Sequence, residues 1–259
     1  MSAQSETYFV VVQGHKLEVQ RIPGSARTLV FLHEGLGSVA MWRDFPGKVA
    51  QATGCAAVVY SRYGYGQSEA LKAPHGVDYM HREALESLPE LLAKLEVRDP
   101  VLVGHSDGGS ISLIHAAAHR GVAGVVAMAP HVFVEDLSVA SIAEAKTAFQ
   151  TTDLPQKLAR YHADAAKTFQ GWNDIWLHPG FRAWNIEDCL PKISCPVLAI
   201  QGFDDEYGTM AQLDAIAGQT GGPIELLRLA DCRHSPHRDQ PEVVIEAMSR
   251  FVERLDAGA

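Results

Sequence analysis

Several features that would define a specialised class of protein are missing from this sequence. Its four cysteines, Cys55, Cys189, Cys195 and Cys232, show no CxxC spacing, and four thiols in 259 residues do not make a disulfide scaffold. The net charge is −9 and no clustered basic patch appears, which argues against nucleic acid or an anionic membrane as a partner. We therefore expect free thiols, a small-molecule partner, and neither a metal nor another cofactor.

Long apolar runs are also missing. No stretch reaches the roughly 20 apolar residues of a membrane helix, and the start, MSAQSETYFVV, lacks the basic and apolar segments of a secretory signal. With the cysteine usage, this predicts a cytoplasmic protein that contacts no membrane. The hydrophobic fraction of 47% is typical of a globular chain with one substantial core. Nothing in the pattern distinguishes a monomer from a homodimer.

Short apolar or β-branched runs bounded by Gly, Pro or Asp recur and predict strands. They lie at residues 8–12, 16–20, 28–32, 56–60, 100–104, 122–129, 197–201 and 224–229, the first two forming a hairpin. Helical periodicity covers residues 79–95, 108–120, 209–218 and 241–255. This alternation predicts an α/β protein with an eight-stranded, mostly parallel sheet and helices on both faces.

One interval interrupts the alternation. Residues 131–192 contain no convincing strand but have helical stretches at 137–149 and 154–169. We interpret this interval as a helical insertion, or cap, lying over a core made of residues 1–130 and 193–259. It holds three of the four tryptophans, Trp172, Trp176 and Trp184. Trp172 and Trp176 have the spacing of one helix face, which is equally typical of the insertion's own packing.

The stretch VLVGHSDGGS, residues 101–110, joins a predicted strand to a predicted helix through a Gly-x-Ser-x-Gly turn. Such a turn places Ser106 at the carboxyl edge of the sheet, where open α/β sheets bind ligands. A plain glycine-rich connection is the alternative interpretation. A serine hydroxyl is a poor nucleophile on its own and needs a histidine base that a carboxylate orients. Asp107 begins the following helix and should point away from that imidazole, so the acid must come from elsewhere.

Two later strand ends carry an acid and a histidine in the chain order Ser, Asp, His. The first is LAIQGFDD, residues 198–205, and the second is LADCRHSPH, residues 229–237. Acids and histidines are common in loops, so each segment alone is weak. Three strand ends with matching residues in this order make coincidence improbable.

The motifs FLHEGLGS, SRYGYGQS, VGHSDGG, IQGFDDEYG and CRHSPHRDQPE follow the third, fourth, fifth, seventh and eighth predicted strands. In this arrangement the sequence resembles the α/β-hydrolase family over nearly its whole length, in particular esterase-like members with a serine nucleophile and a helical lid. The resemblance implies the α/β-hydrolase fold. It also implies Asp205 as the acid, in a Gly-x-x-Asp motif that starts at Gly202, with Asp204 as the alternative. The histidine before Ser-Pro is His234, with His237 as the weaker alternative.

The resemblance also implies the donors that hold the oxyanion of acyl transfer. These are the backbone N–H groups of Asp107 and Gly35, with Leu36 in the alternative register. Glu34 and Arg233 stand where members usually carry glycine, and Ser61 where many carry aspartate. His131 ends the sixth predicted strand, and we expect it to contact substrate together with Trp172, Trp176 and Trp184.

These residues predict a cofactor-independent serine hydrolase that cleaves small carboxylic esters through an acyl-enzyme. A C–C bond hydrolase of aromatic ring-cleavage products and an enol-lactone hydrolase use the same residues and stay open. A dehalogenase or epoxide hydrolase is disfavoured because those relatives use an aspartate nucleophile, and position 106 is serine. A non-catalytic receptor for a small ligand on the same scaffold is a further alternative.

Overall fold

The computed structural model describes residues 5–257, and its centre is one eight-stranded sheet with the strand order β1-β2-β4-β3-β5-β6-β7-β8. The strands are β1 (Glu6–Val12), β2 (His15–Ile22), β3 (Thr28–Leu32), β4 (Ala56–Tyr60), β5 (Val101–His105), β6 (Gly124–Met128), β7 (Val197–Gly202) and β8 (Ile224–Leu229). β2 runs antiparallel to β1 and β4, and the strands from β3 to β8 pair in parallel. The predicted fold class is confirmed.

The turn residues between β1 and β2 explain why these two strands pair as a hairpin. Val12 pairs with His15, which leaves Gln13 and Gly14 as the two turn residues, with φ angles of 49° and 75°. Positive φ at both positions matches the right-handed twist of a two-residue hairpin, and glycine adopts it readily.

Helices cover both faces of the sheet. They are α1 (Phe45–Thr53), α2 (Tyr79–Arg82), α3 (Leu88–Lys94), α4 (Asp107–Ala118), α5 (Asp136–Thr151), α6 (Leu154–Leu158), α7 (Ala165–Trp176), α8 (Ala211–Gln219), α9 (Pro236–Asp239) and α10 (Pro241–Ala257). Along β3, Val30 and Leu32 belong to one core cluster, while Leu29 and Phe31 belong to the other. Because side chains alternate between the faces of a strand, the central strands must be apolar throughout, as the sequence shows. Among residues 5–257, no helix combines the length and apolarity needed to cross a membrane.

The interval between β6 and β7 contains α5, α6 and α7, followed by short 3₁₀ turns at Pro179–Phe181 and Glu187–Lys192. The helical stretch expected at 154–169 is divided, since α6 ends at Leu158 and α7 begins at Ala165. Asp164 causes the new start, because its carboxylate accepts the backbone N–H of Lys167 at 3.1 Å and caps α7. α1 and α9 were not predicted. The predicted helix at 79–95 is also interrupted, by a π turn at Glu83–Ser87.

Candidate active site

Ser106 occupies the sharp turn between β5 and α4. Its φ of 53° is rare for a residue with a side chain, so the surrounding structure must impose it. A Cβ on Gly104 would lie 2.2 Å from the carbonyl oxygen of Gly108, and a Cβ on Gly108 would lie 2.0 Å from that of Leu32. Both positions therefore require glycine. The tight turn is also fixed by a backbone hydrogen bond of 2.9 Å from Ser106 N–H to the Met128 carbonyl.

His234 and Asp205 meet at the neighbouring strand ends. The Nδ1 atom of His234 lies 2.8 Å from Oδ1 of Asp205. A carboxylate can only accept, so Nδ1 carries the proton, and the neutral ring has its free lone pair on Nε2. Asp205 also accepts the backbone N–H of Tyr207 at 2.8 Å and the side-chain N–H of Gln201 at 3.1 Å. These bonds hold the carboxylate in place.

The two alternatives lie elsewhere. Asp204 is exposed, and its backbone N–H donates to the Cys232 carbonyl at 3.0 Å. The His237 ring is buried against Trp42 and Phe45, with centroids 4.8 and 5.4 Å away, and neither of its nitrogens has a partner among residues 5–257. The structure thus brings together His234 and Asp205, and not His237 or Asp204.

The pair also changes the acidity of both groups. Burial acts to lower the pKa of His234, but the charge and hydrogen bond of Asp205 act against it and raise that pKa above its ordinary value. Burial acts to raise the pKa of Asp205, yet His234 and the Tyr207 N–H lower it overall. At neutral pH Asp205 is therefore a carboxylate that favours a proton on His234, as a general base requires.

The backbone of His234 is held from two sides. Its N–H donates to the Glu206 carboxylate at 3.2 Å, and its carbonyl accepts Nε2–H of His105 at 2.7 Å. The other ring nitrogen of His105 lies 3.4 Å from Glu34, which in turn is 3.4 Å from Arg238. Burial raises the pKa of Glu34, but His105 and Arg238 lower it well below its usual range overall. The Glu34 side chain is therefore ionised.

The loop that contains Gly35 has a defined peptide orientation. The Glu34 carbonyl accepts the Gly37 N–H at 3.0 Å, Nη2–H of Arg62 at 2.9 Å and Nδ1–H of His33 at 2.7 Å. In a trans peptide, the N–H of the next residue points opposite to that carbonyl, so the Gly35 N–H is directed away from these donors. A Cβ on Gly35 would lie 2.1 Å from Nε1 of Trp172, so glycine is required here too.

A cavity of about 150 Å³ joins these groups. Its wall is formed by Glu34, Gly35, Leu36, His105, Ser106, Asp107, His131, Ile142, Trp172, Trp176, Tyr207, His234 and Ser235. Three of the four residues expected to contact substrate are therefore in this wall. Burial lowers the pKa of His131 to about 3, so its imidazole is neutral.

Trp184 is the exception among the residues expected to contact substrate. It is not part of the cavity wall, and its ring stacks on Phe181 with centroids 5.4 Å apart, so we correct its assignment to packing within the insertion. Tyr207 was not foreseen. Its ring lies 4.7 Å from that of His234, and the available signal was its place two residues after Asp205.

The Asp107 side chain points away from the His234 ring, into a buried polar network. Tyr79 donates its hydroxyl to Oδ2 of Asp107 at 2.8 Å, and the guanidinium of Arg62 lies 3.6 Å from the same oxygen. Burial raises the pKa of Asp107, against the opposing effects of Arg62 and Tyr79. Arg62 lies in the SRYGYGQS motif, but no sequence signal identifies Tyr79.

His115 lies in the last turn of α4 and His119 directly follows the helix, and their rings stack with centroids 4.4 Å apart. Nδ1 of His115 donates to the Ala84 carbonyl at 2.8 Å. Within residues 5–257, no group of three or more His, Cys, Asp or Glu side chains is arranged to hold a metal ion.

A serine in a strained strand-to-helix turn and a histidine oriented by a carboxylate thus share one small cavity at the carboxyl edge of a parallel sheet. A serine close to a histidine that a carboxylate orients has the groups that nucleophilic catalysis requires. The model of the Alpha/beta hydrolase family matches residues 29–247, so the chain belongs to that family. No curated protein sequence matches the chain significantly.

Solved structures of similar fold include enzymes of several activities. The haloalkane dehalogenase DbeA from Bradyrhizobium elkani is 18% identical with a TM-score of 0.78, covering 99% of this chain and 100% of its own. The enol-lactonase from Burkholderia xenovorans is 19% identical with a TM-score of 0.75, covering 95% and 100%. The esterase EaEST from Exiguobacterium antarcticum is 19% identical with a TM-score of 0.72, covering 95% and 98%. At such identity these likenesses show the fold alone.

Proposed function

We propose that the protein is a cofactor-independent serine hydrolase that cleaves small, uncharged carboxylic esters. The observation that carries the proposal is the 2.8 Å bond between His234 and Asp205 at the cavity that also contains Ser106. That bond leaves Nε2 of His234 free to accept a proton from a hydroxyl.

The reaction follows from these groups in order. Ser106 Oγ attacks the ester carbonyl while Nε2 of His234 takes its proton, and the same proton passes to the departing alcohol. Water, deprotonated in turn by His234, then attacks the acyl-enzyme; the bond between the acyl carbon and Ser106 Oγ breaks, His234 returns the proton to Oγ, and the carboxylic acid is released. Asp205 orients the ring and stabilises the imidazolium in both steps.

The negative charge on the former carbonyl oxygen needs preorganised donors. Asp107 is the first residue of α4, so its N–H has no partner within the helix. The Gly35 N–H is turned away from the donors that bind the Glu34 carbonyl, and both residues lie in the cavity wall. We assign the oxyanion to these two N–H groups.

The insertion serves in this proposal as a lid that forms the acyl pocket. It contributes Ile142, Trp172 and Trp176 to the cavity wall, where they exclude water and contact an apolar acyl group. The cavity volume of about 150 Å³ favours a short acyl chain.

The charge of the cavity wall favours a neutral substrate. The wall contains no lysine or arginine, and Glu34 is an ionised carboxylate within it. An anionic substrate would meet repulsion there without a cationic partner. Aromatic ring-cleavage products carry a carboxylate. We therefore favour ester hydrolysis over C–C bond hydrolysis and enol-lactone hydrolysis.

The matched esters 4-nitrophenyl pentanoate and mono-4-nitrophenyl succinate test this choice, because their acyl chains are similar in size and differ in charge. Two unit charges about 8 Å apart at an effective dielectric of about 20 repel by about 2 kcal/mol, and Arg238 offsets part of this. We expect kcat/KM for the neutral ester to exceed that for the succinate ester by about tenfold or more. Glu34→Gln should lower this ratio of the two kcat/KM values.

Glu246→Gln on α10, which removes a carboxylate outside the cavity wall, is the matched control and should leave the ratio as it is. A wild-type enzyme that prefers the succinate ester would contradict the assignment of a neutral substrate. An absence of turnover with both esters would count against ester hydrolysis itself.

A further inference from the structure

One buried hydroxyl connects the insertion to the turn that carries Ser106. Tyr79 is the first residue of α2 and is 7% exposed. Its hydroxyl donates to Oδ2 of Asp107 at 2.8 Å and accepts Nε1–H of Trp176 at 3.1 Å. A single side chain thus bonds both α4, at its first residue, and α7, at its last.

The bond to Asp107 is the more consequential of the two. It is a direct hydrogen bond to the Asp107 carboxylate, whose pKa Arg62 and Trp176 also act to lower against the effect of burial, while Oδ1 has no partner within residues 5–257. Arg62 supplies charge compensation at 3.6 Å, which is beyond hydrogen-bond distance. Tyr79 therefore contributes to the direction of the Asp107 side chain, and with it to the orientation of the peptide that follows Ser106.

Trp176 connects the Tyr79–Asp107 bond to the substrate cavity. It lies in the cavity wall, where a bound acyl group contacts it, and its indole N–H points away from the cavity to the Tyr79 hydroxyl. The chain of bonds runs from a substrate-contacting side chain of the insertion to the residue whose backbone N–H holds the oxyanion.

We propose that Tyr79 is a positioning residue that aligns the Asp107 N–H with the oxyanion when the insertion is packed over the substrate. This inference rests on the proposed function, because it assigns the oxyanion to Asp107. Tyr79 itself touches no reacting atom. Its contribution is made in the transition state, where the oxyanion exists, and not in substrate binding.

The expected loss of kcat on removing the Tyr79 hydroxyl depends on the space next to this side chain. Tyr79 and Arg62 also form part of the wall of a second cavity of about 400 Å³ outside the catalytic one, with Tyr65, His75 and Glu83. Water that enters from this side can replace part of the lost hydroxyl. We therefore expect Tyr79→Phe to cost about tenfold in kcat, less than the roughly 10²- to 10³-fold that follows removal of an oxyanion donor.

The test compares Tyr79→Phe with wild type in three measurements. The kcat for 4-nitrophenyl pentanoate should fall about tenfold while KM changes by less than about twofold. The inhibition constant of an alkyl trifluoromethyl ketone, which adds to the serine and forms an oxyanion, should rise by the same factor as kcat falls. The acidic limb of the pH profile should stay in place, since Tyr79 does not contact His234 or Asp205.

Tyr65→Phe is the matched control. Tyr65 is also buried and lies in the wall of the same second cavity, but its hydroxyl is 3.4 Å from His75 and does not contact Asp107. Its kcat should stay within about twofold of wild type. A second test uses Trp176→Phe, whose effect on ketone binding should be smaller in the Tyr79→Phe background because the connecting hydroxyl is already gone.

Unchanged kcat and ketone affinity in Tyr79→Phe would overturn the role of Tyr79, and so would an equal loss in Tyr65→Phe. A wild-type enzyme that neither hydrolyses the ester nor binds the ketone would instead overturn the proposed function. Ester turnover that requires Ser106 together with an inert Tyr79→Phe change would refute this inference alone.

Discussion

Ser106→Ala is expected to lower kcat for 4-nitrophenyl pentanoate by about 10⁶-fold, the loss typical of removing a serine nucleophile. The backbone donors and the cavity survive the change, so a small residual rate over water is expected. The substitution removes only a hydroxyl, and alanine can occupy the same turn at the strain that serine already bears. The fold should therefore be retained, which a thermal unfolding curve can check.

Ser249→Ala is a suitable control for this variant. Ser249 lies on α10, and its hydroxyl donates to the Ile245 carbonyl at 2.9 Å, within its own helix. Its activity should equal that of the wild type. Turnover by Ser106→Ala at the wild-type rate would contradict the assignment of Ser106 as the nucleophile.

Asp205→Asn is expected to lower kcat by about 10⁴-fold. An amide nitrogen facing Nδ1 of His234 favours the tautomer with the proton on Nε2, and that nitrogen can then no longer accept the serine proton. Asp204→Asn is the matched control, because Asp204 is the next acid along the chain, is exposed, and does not contact His234. It should keep nearly full activity.

The pH profile of the same two variants gives an independent readout. Asp205 raises the pKa of His234, and the base must be unprotonated, so wild-type kcat/KM should fall with decreasing pH at a pKa above the ordinary 6.5 or so of histidine. Removing the Asp205 charge lowers the pKa of His234 and moves the acidic limb to lower pH. A large loss in Asp204→Asn with an active Asp205→Asn would reverse the assignment of the acid.

The sequence was most informative where local rules act alone. The apolar runs at 28–32 and 56–60 coincide with β3 and β4, since buried parallel strands must be apolar on both faces. The run at 224–229 coincides with β8, an edge strand that also carries Glu225 and Arg228. The turn at Ser106 was predictable because it needs glycine at fixed positions. The prediction was wrong where helical periodicity and helix capping compete. The apolar periodicity of residues 154–169 predicted one helix, but Asp164 caps the start of a new helix, α7, within that range.

Contacts between distant residues could not be predicted from local patterns. Tyr79 meets Asp107 across 28 positions and Trp176 across 97. Three tryptophans in one segment gave no means to decide which face the cavity, because that depends on how α7 packs against the Gly35 loop. Trp172 lies against Gly35, whereas Trp184 stacks on Phe181.

If the reaction passes through an ester of Ser106, mass spectrometry of the protein quenched in acid during turnover of 4-nitrophenyl pentanoate should detect that ester. We expect a pentanoyl group on the peptide that contains Ser106, present during turnover and absent after the substrate is exhausted. A pentanoyl group on another residue, or rapid turnover in Ser106→Ala, would contradict a reaction through this ester.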